Sequence, residues 1–147
     1  MFSLYSFLIF IHLIGLAIGV GAATVKLVLL IKCKSDYNFV PAFVKIAKLI
    51  TKLIITGLIL LTLSGIGWIL LGYSFSSLLV VKLILVVAIW ILGPIIDNVV
   101  EPKFKKLAPA ADQQVSPEFV KILKKYLMLE IIATGLFYII IIIWVLF

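Results

Sequence analysis

A single histidine, His12, stands inside the apolar run "FLIFIHLIGLAIGVG" at residues 7–21. Three more ionisable side chains interrupt long apolar stretches: Lys26, Lys82 and Glu130. Ionisable groups within a bilayer are costly, so those that persist pair with one another, reach the head groups or serve a function. An imidazole can bind a metal through one ring nitrogen while the other donates a hydrogen bond. It is also a common axial ligand of haem iron. His12 therefore has two readings. It is a ligand to a haem or another metal, or it is a neutral ring hydrogen-bonded to a neighbouring helix through Ser64 or Thr62. Glu130 has too short a stem to reach the head groups, so it needs a partner, and Lys26 is the candidate for a structural ion pair. A proton-handling role for Glu130 is the alternative. Lys26 and Lys82 also have stems long enough to snorkel. Cys33, between Lys32 and Lys34, is the only cysteine. A lone thiol without CxxC or CxxCH spacing excludes an internal disulfide, a zinc ribbon and a covalently held haem. It reads as an ordinary juxtamembrane thiol or, secondarily, as a palmitoylation site.

The elements that must position these groups are membrane spans. The chain is 65% hydrophobic with a mean hydropathy of +1.38, against about half apolar for a soluble domain. Four segments reach the roughly 20 apolar residues of a spanning helix, at about 2–31, 46–73, 77–100 and 118–147. Together they form one domain over 1–147, an all-α four-helix transmembrane bundle with antiparallel, up-down order. The second span can begin earlier as an amphipathic stretch, because Lys45, Lys48 and Lys52 recur at helical spacing. The first has no basic leader and no small-residue cleavage site, and it runs too long for a signal-peptide core, so it reads as retained. Pro94 is expected to kink the third. Ser116, Pro117 and Glu118 have the types of an N-cap, a first-position proline and an acidic first turn. The short link "SFSS" forces a hairpin. The other two links are rich in lysine, and such loops stay in the cytoplasm. Both termini are therefore expected on the non-cytoplasmic side of an inner (cytoplasmic) membrane. The formal charge of +7 then means topology and contact with the anionic lipid bilayer. No segment is polar enough to build a nucleic-acid surface, so no nucleic-acid partner is expected.

With a rise of about 1.5 Å per residue, the four groups fall on two levels. His12 and Lys82 belong to the outer half, Lys26 and Glu130 to the inner half. Gly15 and Gly19 form a small face near His12 at GxxxG spacing, and Gly57, Ser64, Gly65 and Gly67 dot the second span. Small residues let helices approach closely, and they also leave space for a flat macrocycle. One histidine excludes a bis-histidine haem within one chain. A haem here would use His12 with Lys82 as second ligand or propionate partner, since Met128 is on the wrong level, or a homodimer would share it.

The motifs "HLIGLAIGVGA", "LLTLSGIGWILLG" and "VVKLILVVAIWILG", in that order and spacing, resemble the CopD/HemJ-like superfamily of small bacterial membrane proteins. The resemblance covers about three quarters of the chain. It implies a b-type haem at the first-span histidine, His12, with the third-span lysine, Lys82, and either a protoporphyrinogen-oxidase-like or a copper-uptake activity. The chain departs from the first in having "GVGAATVKLVLLIK" where a Trp and a basic PRLF-like end are usual. It departs from the second in lacking further histidines and methionines. It is thus similar to an uncharacterised branch. The expected function is a haem b protein with His12, Lys82, Gly15, Gly19 and Ser64 at the site, a possible oxidoreductase linked to a porphyrinogen or a quinone. The alternatives are a non-catalytic small subunit or assembly factor of a larger membrane complex, and a copper or solute carrier. A membrane-protein partner or homo-oligomer is compatible with each.

Overall fold

The computed structural model describes residues 3–72, 74–110 and 113–146. These residues are helical with no strand among them. Helix α1 runs Leu4–Ser35 and opens on Ser3, whose hydroxyl accepts the Ser6 N–H. A short 3-10 turn, Tyr37–Phe39, leads into α2, Val40–Leu70. Gly72 follows with φ of 89°, a left-handed conformation that glycine adopts without strain. Helix α3 spans Ser77–Ile95 and is capped by Ser76, whose hydroxyl accepts the Leu79 N–H. It continues through a π turn, Ile96–Val100, into α4, Glu101–Leu107. Helix α5 is Pro117–Leu146, with Ser116 Oγ accepting the Phe119 N–H at 3.1 Å. Four helical rods are thus long and apolar enough to cross a membrane. Successive rods run antiparallel, so the start of α1 lies beside the end of α5 at the termini end of the bundle, and the end of α1 lies beside the start of α5 at the loop end.

The rods differ from the expected spans at their ends. α2 starts at Val40 rather than near 46, because Pro41 suits the first helical turn. The third rod carries Pro94 inside α3 and does not stop at 100. It runs on to Leu107, and the wide turn lies just before Pro102. Proline lacks the N–H of the next helical bond and its ring presses on the preceding turn, and a widened turn accommodates both. The expected limits at 2, 73 and 147 lie outside the described residues.

Each rod is about 45 to 48 Å long, against about 30 Å of hydrocarbon, so the bundle reaches beyond the lipid core. The loop end shows it in its packing. Leu30, Cys33, Val40, Phe43, Phe104, Phe119, Leu123 and Tyr126 form a tight core there. Phe104 and Phe119 meet at a tilt with ring centroids 5.1 Å apart, and Phe104 meets Tyr126 edge-on at 5.3 Å. This is the packing of a water-soluble domain, where burying each large apolar side chain contributes about 2 kcal/mol. Cys33 is fully buried in this core, which removes it as an acylation site. Towards the termini the core thins to Val20, Ala23, Leu58, Ile89 and Phe137. α1 and α2 pack along their length, α5 packs on α1 and α3, and α3 hardly touches α1 or α2.

Gly15 and Gly19 explain the α1–α2 contact. A Cβ on Gly19 would lie 3.2 Å from the Gly57 Cα, and one on Gly15 would lie 3.0 Å from the Gly57 carbonyl oxygen. The two backbones touch. The space beside these glycines, expected to be free for a macrocycle, is filled by α2.

Candidate functional site

Two polar centres lie inside the bundle. The first is built on Lys26. Its Nζ lies 2.9 Å from Glu130 Oε1, 3.3 Å from Asp97 Oδ1 and 3.3 Å from Glu101 Oε2. It also donates to Thr51 Oγ1 at 2.9 Å, and the Tyr126 ring sits 5.4 Å away. Tyr126 donates its hydroxyl proton to Glu101 Oε2 at 3.0 Å, and Lys105 Nζ reaches Glu101 Oε1 at 2.6 Å. Lys26 is 1% exposed, so it does not snorkel. Every rod contributes: Lys26 from α1, Thr51 from α2, Asp97 and Glu101 from the third rod, Tyr126 and Glu130 from α5. Lipid offers helices no hydrophobic gain from associating, so such bonds are a main source of their cohesion. The centre gives the third rod a polar tie to α1 and α2, beside the apolar contact of Phe104 with Phe43 at the loop end.

The structure brings Lys26 and Glu130 together as the sequence suggested. Asp97, Glu101, Thr51 and Tyr126 went unread: Thr51 and Tyr126 carry no charge to mark them inside their spans, Asp97 sits at the end of the expected third span, and Glu101 lies just beyond it. A signal was present: Asp97, Glu101 and Lys105 repeat every four residues, which places them on one helical face. The carboxylates gather round an ammonium, and among the described residues no group of histidine, cysteine and carboxylate side chains is arranged to hold a metal ion.

A groove of about 190 Å³ between α2 and α3 opens onto this centre. Ile54, Leu58, Ile89 and Trp90 form its walls, and Asp97 and Glu130 lie at its inner end. Trp90 Nε1 donates to Thr62 Oγ1 at 3.1 Å across its upper edge. The groove exists because α3 packs on α5 and stands off from α2.

The second centre is at the termini end. His12 Nδ1 lies 2.8 Å from Ser64 Oγ, and the Trp68 ring centroid is 4.8 Å from that of the imidazole. Ser64 Oγ also lies 2.7 Å from the Leu60 carbonyl oxygen, one helical turn back. A hydroxyl has one proton. Given to Leu60, it leaves the Ser64 oxygen to accept from His12, so Nδ1 carries the imidazole proton. Nε2 then has a free lone pair, and it has no partner among the described residues. Trp68 stands against His12 and Tyr5, and its Nε1 is buried without a hydrogen-bond partner among the described residues. Lys82 is half-buried on α3 and takes part in no ion pair or side-chain hydrogen bond among the described residues. Replacing Ser64 by alanine is expected to lower stability by about 1 kcal/mol, read as a drop in thermal unfolding temperature in detergent. Thr62→Ala, whose hydroxyl does not touch His12, should leave the imidazole in place.

No family model, no curated protein and no solved structure matches this chain.

Proposed function

We propose that this chain is a multi-pass protein of the cytoplasmic (inner) membrane that binds a b-type haem through His12 and takes part in electron transfer linked to a porphyrinogen or a quinone. The observation that carries this reading is the placement of the imidazole: His12 Nδ1 lies 2.8 Å from Ser64 Oγ, and Nε2 meets no partner among the described residues. With the Ser64 proton donated to the Leu60 carbonyl, Nδ1–H donates to Ser64 and Nε2 keeps its lone pair, which is how a metal-bound histidine is normally oriented by its neighbours. The donor set fits iron in part. His12 would be one ligand, and uncommitted Lys82 would be the second or would meet a propionate. Gly15 and Gly19 do not form a cradle, so the group would lie on a face of the α1–α2 pair. A haem held there supplies one-electron redox chemistry. The resemblance to the CopD/HemJ-like superfamily supports the same residues. All lysines other than Lys26 and Lys82 gather at the loop end, which supports a cytoplasmic position for that end and an outer position for both termini.

A visible spectrum of the detergent-purified protein, oxidised and then reduced with dithionite, tests the reading. A Soret band with sharp reduced α and β bands is expected, and His12→Ala should abolish it. A flat spectrum after incubation with hemin, or full haem retention in His12→Ala, would overturn the ligand role.

One observation favours a second reading, a subunit of a larger membrane assembly. Ile89 is the only fully buried residue of α3, while Ile84, Val87 and Ile91 are more than half exposed. A rod so thinly packed has a free face for a second copy or another membrane protein. Native mass spectrometry from nanodiscs should then show a dimer or a retained partner.

A further inference from the structure

At the loop end, α4 and the first turns of α5 enclose a groove of about 350 Å³. Lys103, Lys106, Lys121 and Lys125, all exposed, line it together with the half-buried Leu107 and Ile122. Lys103 and Lys106 are three residues apart on one helix, and Lys121 and Lys125 are four apart on the other, so each pair shares a face. None of the four takes part in an ion pair among the described residues. One carboxylate, Glu118, also lines the groove. Four ammonium groups against one carboxylate repel one another, and like charges at these spacings destabilise a helix pair by pair. The fold leaves that repulsion for an external anion to relieve.

The level of the groove points to the source of the anion. Lys125 and Lys121 lie about 8 and 14 Å along α5 from Glu130 towards the loop end. Thr51, bonded to the same ionic centre, is followed by Lys52 on the outer face of α2, where its charge needs water or head groups. The four lysines therefore stand at the depth of lipid phosphates, and the apolar Leu107 and Ile122 suit the glycerol and first methylenes of a lipid.

We propose that this groove binds the head group of an anionic phospholipid, with a lipid carrying two phosphates matched best. The charge count decides between lipids. After Glu118, three positive charges remain, and two phosphates neutralise more of them than one. This inference rests on the α4–α5 groove alone and is independent of any role of His12.

Native mass spectrometry and thermal unfolding of the purified protein, titrated with diphosphatidylglycerol, phosphatidylglycerol and phosphatidylcholine, test it. One bound diphosphatidylglycerol is expected, with weaker phosphatidylglycerol and no phosphatidylcholine. Each lysine near a charged lipid surface contributes about fivefold, so Lys106→Gln with Lys125→Gln should weaken binding about 25-fold. These side chains are exposed and each change relieves one repulsion, so the unfolding temperature without lipid should hold or rise slightly. Lys34→Gln with Lys48→Gln, exposed lysines elsewhere on the same end, should have little effect. Equal loss in both double variants would mean a diffuse positive surface and overturn the site. Equal stabilisation by millimolar inorganic phosphate would make it a soluble-anion site and overturn the lipid. Unchanged affinity in the groove variant would overturn the proposal outright.

Discussion

Replacing Lys26 by methionine should destabilise the bundle by about 3 to 5 kcal/mol, enough to prevent accumulation of a folded protein in the membrane. That is the cost of removing one partner from a buried charge pair and stranding the other. Here the stranded partners are three carboxylates: Glu130 at 2.9 Å, and Asp97 and Glu101 at 3.3 Å. Lys105 still neutralises Glu101 at 2.6 Å, so Asp97 and Glu130 carry most of the penalty. Asp97→Asn and Glu130→Gln in the Lys26→Met background should recover much of the loss, because neutral amides need no counter-charge. Urea or thermal unfolding of the single and triple variants in detergent gives the comparison. If Lys26→Met is as stable as the parent, the centre does not hold the rods together. If it falls and the triple variant does not recover, the charges are not the cause.

Gly57→Val should be the most damaging apolar substitution. A Cβ at Gly57 would collide with the backbone of Gly19 and lie 2.8 Å from the Gly15 carbonyl oxygen. These are main-chain atoms, so no rotamer change relieves the clash and α1 must move away from α2. Overpacking of this kind costs about 3 kcal/mol. The separation would also draw Ser64 away from His12, two turns further along α2. The loss should therefore appear twice, in unfolding temperature and in the environment of the His12 ring by NMR. Gly21→Ala and Gly65→Ala are the controls, because nothing lies within 4 Å of a Cβ at either place. Alanine in an open helical position stabilises by about 0.5 to 1 kcal/mol, so both should be neutral or slightly favourable. Equal damage from all three would show that glycine in these helices matters for backbone freedom, not for close approach.

His12 and Ser64 show how far a sequence carries a site. The hydroxyl was one of two candidates for the imidazole, and both lie on the same helix two residues apart. Two residues on a helix point about 200° apart, so only one can face α1. Which one depends on the rotation of α2 about its axis. Gly57 meeting Gly15 and Gly19 sets that rotation, and it sends Thr62 to Trp90 instead. Cys33 has the same character. Its lysine neighbours place it at a membrane boundary, yet the aromatic cluster of α2, α4 and α5 closes over it.

The sequence by itself determined what local composition determines. Long apolar runs can be satisfied only as helices in lipid, a four-residue link permits only a hairpin, and clustered lysines without partners leave the hydrocarbon for its edge. From these follow the helical class, four rods in antiparallel order, and one charged end. Only the tertiary structure decided how those rods are turned and how far they reach. In a chain this uniformly apolar, every face of a helix looks fit for burial, so periodicity does not say which face meets which neighbour. Contacts between rods do. They sent Gly15 and Gly19 to α2, and they placed Glu101, beyond the expected limit at 100, on a helix continuous with α3 and Asp97. Lys26 lies at the meeting point of all four rods, where one ammonium answers carboxylates far apart in the chain.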